Sequence, residues 1–253
     1  MTGSSVHLIY LHQGHAAFPS CLTAVAAEMQ VILDGESYIA QANPWPSSTM
    51  NGIDKAVDRC VVELTELLHT RPIIRKLSLV GVSLGGVILE RVMQRMYDSV
   101  LFPEEQVEFL YFIAIASPLN GITVGWNFPT LVASLIGSIN PTLSDLVDMH
   151  DKKRDSVRGI ALFKTRICLG NLYNDWRVPM TSSMPVGGAW ITKTGTQRLI
   201  QQAQDESICV WNAVVLDLRD RWRVHHAITT DHRSMNAIRE IIAENREDRI
   251  TTL

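Results

Sequence analysis

The sequence of 253 residues has few cysteines and little excess charge. Its four cysteines, Cys21, Cys60, Cys168 and Cys209, lie far apart and form no C-x-x-C pair. Isolated cysteines of this kind usually pack as small hydrophobic residues in a reducing compartment. The net charge of −3 provides no basic patch, so we expect no nucleic-acid partner.

Internal repeats, low-complexity segments and long apolar runs are also absent from the sequence. No run is long enough to cross a membrane, and residues 1–5 lack the basic stretch of a signal peptide. We therefore expect a cytoplasmic protein, with peripheral membrane contact as the alternative. A hydrophobic content of 46% and a charged content of 19% are typical of a globular protein. The length fits one domain over residues 1–253.

The most informative stretch is Gly81-Val82-Ser83-Leu84-Gly85, followed by Gly86. An apolar run ends at this stretch, and an apolar helical pattern begins directly after it. It is a G-x-S-x-G motif in the strand–turn–helix context that exposes a nucleophilic serine. The glycines keep Cβ atoms out of the space where the strand and the helix meet. We predict that Ser83 is a nucleophile; the alternative is a glycine-rich turn with a capping serine.

Strand-like and helix-like segments alternate along the chain. Strands are predicted at 6–11, 37–41, in the run before Ser83, and at 108–116, 166–173 and 210–218, and helices at 20–29, 52–69, directly after Ser83 and at 235–245. This alternation predicts a mostly parallel sheet with helices on both faces. Ligands of such sheets bind outside the carboxyl ends of the strands, where the candidate residues of this chain also lie.

Other segments of the chain interrupt this alternation. Residues 120–150 carry an apolar stretch, which we interpret as a short lid helix over an acyl-binding pocket or as a core helix. Residues 187–195 are predicted as a loop and 197–204 as a helical turn. The apolar run 222–228 is predicted as the last strand of the sheet.

A nucleophilic serine needs a general base and an acid that orients the base. Asp175 follows a predicted strand and is the candidate acid, with a simple polar turn as the alternative. His232 lies between the last predicted strand and the last helix, where a base would face Ser83. His226, which like His225 falls within the predicted strand, is the alternative base. A helix-capping sequence is the structural alternative for the region of His232.

An oxyanion hole for this serine would combine two backbone N–H groups. One belongs to Leu84, and the other comes from Gln13 or Gly14 in the loop after the first strand. A polar loop with surface histidines is the alternative for this segment. The histidines show no H-E-x-x-H pattern and no carboxylate spacing, so we predict no metal. The predicted chemistry implies no cofactor.

Several motifs together resemble the α/β-hydrolase superfamily and, within it, the family of lipase-like serine esterases. They are Leu11-His12-Gln13-Gly14-His15, the elbow at Ser83, Ala116-Ser117-Pro118-Leu119-Asn120-Gly121, Asn174-Asp175-Trp176-Arg177-Val178-Pro179, and Trp222-Arg223-Val224 before a histidine. The resemblance implies an α/β-hydrolase fold, an ester or lipid substrate, and a catalytic triad formed by Ser83, Asp175 and His232. Gln13 departs from the glycine that these enzymes usually have after the first histidine.

The sequence therefore predicts a serine hydrolase that cleaves a carboxylic ester of a lipid or another apolar acyl group. An acyl-enzyme on Ser83 would be its intermediate. A thioester or an amide would use the same residues. Peripheral membrane contact, if present, is assigned to residues 120–150. The alternative from another class is a hydrolase-like scaffold that binds without turnover, for which the altered His12–His15 loop is the support.

Overall fold

The computed structural model describes residues 5–41, 49–99, 107–122, 140–151, 158–171, 175, 178, 183, 189–193, 196–201, 211–218 and 224–250. The strands are β1 (Val6–His12), β2 (Glu36–Ile39), β3 (Ile74–Val82), β4 (Glu108–Ile115), β5 (Thr165–Asn171), β6 (Ala189–Lys193), β7 (Thr196–Gln201) and β8 (Trp211–Leu216). The helices are α1 (Thr23–Leu33), α2 (Ile53–Thr70), α3 (Leu84–Asp98), α4 (Pro141–Asp151), α5 (Arg158–Ala161), α6 (Val224–Ala227) and α7 (His232–Ile250), with a 3₁₀ turn at Pro19–Leu22.

The strands form one sheet in the order β2-β1-β3-β4-β5-β8-β7-β6. The six neighbouring strands β2, β1, β3, β4, β5 and β8 are parallel to one another. At the other end of the sheet, β7 pairs antiparallel with β8 and with β6. Two local predictions are therefore wrong: the loop predicted at 187–195 contains β6, and the helical turn predicted at 197–204 contains β7. These segments are strands because of their hydrogen bonds with neighbouring strands, since β7 pairs with β8 on one side and with β6 on the other.

Apolar side chains are buried on both faces of the sheet. Leu79 belongs to the core on the face covered by α2 and α3, and its neighbour Val80 belongs to the core on the face covered by α1 and α7. Successive strand residues point to opposite faces, so a strand buried on both sides reads as a continuous apolar run. The predicted α/β architecture, a mostly parallel sheet with helices on both faces, is confirmed.

The segment after β8 differs from its prediction. Over residues 224–228, the described part of the strand predicted at 222–228, the structure contains the short helix α6 and no strand. Of the predicted lid at 120–150, residues 123–139 lie outside the described residues, while α4 forms its last part. The single domain over 1–253 and the lid both stay predictions. Among the described helices, none combines the length and the apolarity needed to span a membrane.

Candidate active site

Ser83 stands at the turn between β3 and α3 in a strained backbone conformation. Its φ is 52° and its ψ is −126°, a combination that costs on the order of 1–3 kcal/mol and persists only when the surroundings enforce it. One enforcing contact is the Ser83 N–H, which donates to the carbonyl oxygen of Ile115 at 2.8 Å. The turn thus presents the serine at the carboxyl end of a central strand.

Glycines allow the backbone to come together around this turn. A Cβ atom on Gly81 would lie 2.3 Å from backbone atoms of Gly86, and a Cβ on Gly86 would lie 2.2 Å from the Ser117 Oγ. Real Cβ atoms do not approach other atoms this closely, so a larger side chain at either position would displace the turn. The predicted steric role of these glycines agrees with the geometry.

The structure brings Ser83, His225 and Asp175 into one hydrogen-bonded line. The Ser83 Oγ lies 3.1 Å from the His225 Nε2, and the His225 Nδ1 lies 2.9 Å from the Asp175 Oδ2. The Asp175 side chain is 1% exposed and that of His225 is 12% exposed. A carboxylate oxygen only accepts, so the Nδ1 of neutral His225 carries the hydrogen and its Nε2 accepts from the serine hydroxyl.

His232, the base predicted from the sequence, lies elsewhere. It is the first residue of α7, its side chain is 71% exposed, and its Nδ1 lies 3.7 Å from the Asp231 Oδ1. His226, the alternative base, is exposed on α6. The geometry corrects both predictions, because it places His225 between Ser83 and Asp175.

The error came from the assignment of a strand at 222–228. Because the last parallel strand, β8, ends at Leu216, His225 follows it and occupies the position expected of a base. The available signal was order along the chain, since His225 is the first histidine after β8. Asp231, which flanks His232, accepts from the Arg233 N–H at 2.9 Å and so caps α7. The geometry around His232 is therefore that of a helix cap, which was the structural alternative for this region.

The loop after β1 packs against the serine turn. A Cβ on Gly14 would lie 2.9 Å from the Ser83 Cβ, so only glycine fits there without a shift. A Cβ on Gly85 would lie 2.2 Å from the His12 carbonyl oxygen and 2.8 Å from that of Gln13. Both carbonyl oxygens thus lie close to Gly85 in the first turn of α3. Leu84 is the first residue of this helix, and its N–H has no intrahelical acceptor.

The imidazole of His12 fixes the orientation of the next peptide group. Its Nδ1 donates to the Gln13 carbonyl oxygen at 2.8 Å. In a trans peptide group the N–H points opposite to the C=O, so the Gly14 N–H is directed away from the His12 ring. Complete burial lowers the pKa of His12 to about 4, despite the opposing effect of this hydrogen bond. At neutral pH the ring is therefore uncharged.

Comparison with known proteins identifies the family of the chain. Residues 3–139 match the family described as "Putative serine esterase (DUF676)", which is more than half of the chain. The chain belongs to this family. The matched part of the sequence includes the Gly14 loop and Ser83 and ends before Asp175 and His225. Among curated proteins, none matches the chain.

Solved structures show the same fold. A monoacylglycerol lipase from Paleococcus ferrophilus is 12% identical, with a TM-score of 0.55 over 95% of this chain and 95% of that chain. Est1E from Butyrivibrio proteoclasticus, solved with ferulic acid, is 11% identical, with a TM-score of 0.53 over 97% and 92%. An extracellular α/β-hydrolase from a Paenibacillus species is 12% identical, with a TM-score of 0.51 over 93% and 98%. The chain therefore has the α/β-hydrolase fold.

Proposed function

We propose that the protein hydrolyses carboxylic esters with an apolar acyl group, using Ser83 as nucleophile, His225 as general base and Asp175 as the acid that orients the base. The observation that carries this proposal is the continuous hydrogen bonding from Ser83 through His225 to Asp175. Family membership supports the class of reaction. The two bond lengths, 3.1 Å and 2.9 Å, are within the range in which a base can remove the serine proton.

In the first half of the reaction, the Ser83 Oγ attacks the acyl carbonyl carbon while its proton passes to the His225 Nε2. Asp175 accepts from the Nδ1 and stabilises the imidazolium that forms. The tetrahedral intermediate collapses, the C–O bond to the alcohol breaks, and the alcohol leaves with the proton from His225. The acyl group then remains on Ser83 as an ester.

In the second half, His225 removes a proton from a water molecule that attacks the acyl-enzyme. The carboxylic acid leaves, and Ser83 recovers its proton. In both halves the N–H groups of Leu84 and Gly14 stabilise the oxyanion. This assignment rests on the start of α3 at Leu84 and on the orientation of the Gln13–Gly14 peptide by His12. It chooses Gly14 between the two loop residues predicted from the sequence.

The apolar acyl group is inferred from family and fold. The Paleococcus structure with the same fold is a monoacylglycerol lipase, and the Butyrivibrio esterase was solved with ferulic acid. A thioester or an amide would enter the same chemistry. We further propose a cytoplasmic location, supported by Cys60 and Cys168, which are buried in the core without a disulfide bond.

Labelling with a fluorophosphonate probe tests the proposal. The phosphorus atom bonds to an activated serine Oγ with loss of fluoride, so the parent protein should be labelled and Ser83→Ala should not. Ser117→Ala is a matched control, because Ser117 is a buried serine beside the same turn. Equal labelling of the parent and Ser83→Ala, or no turnover over a series of p-nitrophenyl esters from acetate to palmitate, would contradict the proposal. The second result would favour a binding scaffold.

A further inference from the structure

A chain of hydrogen bonds joins the loop beside Ser83 to the start of α4. The Nδ1 of His15 donates to the carbonyl oxygen of Thr49 at 3.2 Å, and the Nδ2 of Asn140 donates to the Nε2 of His15 at 3.2 Å. The Oδ1 of Asn140 accepts from the Thr142 N–H at 3.1 Å. Each donor in this chain meets an acceptor only when His15 is neutral with its hydrogen on Nδ1.

Thr49 holds the same loop through a second contact. Its Oγ1 accepts from the Ala16 N–H at 2.8 Å. Ala16 has a φ of 51°, a left-handed conformation that residues with a Cβ atom adopt only where the surroundings enforce it. The loop is therefore strained directly after His15, and Thr49 provides anchors on both residues.

The anchoring groups are buried. Thr49 is 0% exposed and Asn140 is 3% exposed. Burial also lowers the pKa of His15 below its usual value, which keeps a lone pair on the Nε2 for the Asn140 amide. The Thr142 N–H fixes which end of that amide faces His15, because it binds the oxygen and leaves the nitrogen to donate.

We propose that Asn140, His15 and Thr49 form a positioning relay that holds the Gly14 N–H in place for the oxyanion. The inference rests on the proposed function, because it assigns these residues a role in the same reaction. They are positioning residues and touch no reacting atom. His15 adjoins Gly14, which leaves no room for a Cβ atom against Ser83, so a shift of His15 moves the N–H relative to the serine.

Asn140→Ser separates this role from helix capping. A serine can still accept from the Thr142 N–H and cap α4, but its side chain is too short to reach His15. We expect the kcat for p-nitrophenyl butyrate to fall roughly 10- to 100-fold with a nearly unchanged KM, since a displacement of about 1 Å at a reacting centre has an effect of this size. If Asn140 only caps the helix, the kcat stays at the parent value, and that result overturns the relay.

Two substitutions of His15 test the same point independently of Asn140. Glutamine carries a donor and an acceptor bonded to one carbon atom, as the neutral ring does across Cε1, whereas phenylalanine keeps a ring of similar shape without either. We expect His15→Gln to retain most of the parent kcat and His15→Phe to lose it. If the ring only fills space, the order is reversed and the relay is wrong.

Thr142→Val is the matched control within the same cluster. It removes the bond in which the Gly52 N–H donates to the Thr142 Oγ1 at 2.9 Å but keeps the backbone N–H that orients Asn140. We expect a lower unfolding temperature with an unchanged kcat. If the parent neither turns over esters nor labels at Ser83, the proposed function fails and the relay with it. If the parent turns over and Asn140→Ser matches its kcat, only the relay fails.

Discussion

The identity of the general base can be tested by comparing alanine substitutions of the C-terminal histidines. Removal of a triad base lowers kcat by roughly 10⁴- to 10⁶-fold, which corresponds to about 5.5–8 kcal/mol in the activation free energy. We expect a loss of this size for His225→Ala. For His232→Ala we expect a kcat within about twofold of the parent, because its side chain is 71% exposed and faces Asp231. Substitutions at exposed positions usually change the free energy of unfolding by no more than about 0.5 kcal/mol, so His232→Ala should also stay folded.

His225→Ala also affects stability, so folding must be measured beside activity. The substitution takes away the donor at 2.9 Å from the Asp175 Oδ2, while the Oδ1 keeps the Val178 N–H at 3.0 Å. Loss of a hydrogen bond by a buried carboxylate costs about 1–3 kcal/mol of unfolding free energy. The double variant His225→Ala/Asp175→Asn removes the buried charge and should recover part of this stability without recovering activity.

The assay is the kcat for p-nitrophenyl butyrate, with urea unfolding followed by tryptophan fluorescence on the same samples. A folded His225→Ala protein that keeps more than about a hundredth of the parent kcat would refute the assignment of the base. So would a loss in His232→Ala as large as that expected for His225→Ala. His226→Ala completes the series, and we expect it to resemble His232→Ala, because His226 is exposed.

Two further predictions concern the end of β1 and the loop that follows it. Gly14→Ala places a Cβ 2.9 Å from the Ser83 Cβ. The kcat for p-nitrophenyl butyrate should therefore fall about 10- to 100-fold. Lowering the pH should destabilise the protein, because the pKa of His12 is about 4 in the folded state and 6.5 in the unfolded state. The unfolded chain binds the proton first as the pH falls below 6.5, so the unfolding free energy should drop by about 2 kcal/mol between pH 8 and pH 5.

Each of these predictions has its own control. If Gly14→Ala retains the parent kcat, the loop does not contribute the oxyanion donor in the way proposed. For the pH effect, His12→Leu should give a flatter dependence of unfolding free energy on pH. His7 and His15, whose pKa values burial also lowers, would still contribute in the same direction. An equally steep dependence in His12→Leu would show that His12 is not its source.

The sequence was sufficient for those features that depend on neighbouring residues. Periodicity located the parallel strands and the long helices, and the G-x-S-x-G spacing located the serine turn, because contacts within a few residues determine both. The motif also indicated why Gly81 and Gly86 are glycines, since a strand–turn–helix reversal brings their backbones together. Asp175 was predicted as the acid from its place after a strand, and the structure brings its Oδ2 to 2.9 Å from the His225 Nδ1.

Only the tertiary structure decided which histidine meets the serine. A four-residue helix such as α6 has no periodic signature, and an apolar run that contains two histidines fits a strand equally well. His225 is 142 residues from Ser83 and 50 residues from Asp175 along the chain, so no local sequence pattern indicates that these side chains meet. The same holds for Asn140, which reaches His15 across 125 residues. Local spacing located the turn at Ser83, whereas long-range packing of the chain determined the contacts of His225 with Ser83 and of Asn140 with His15.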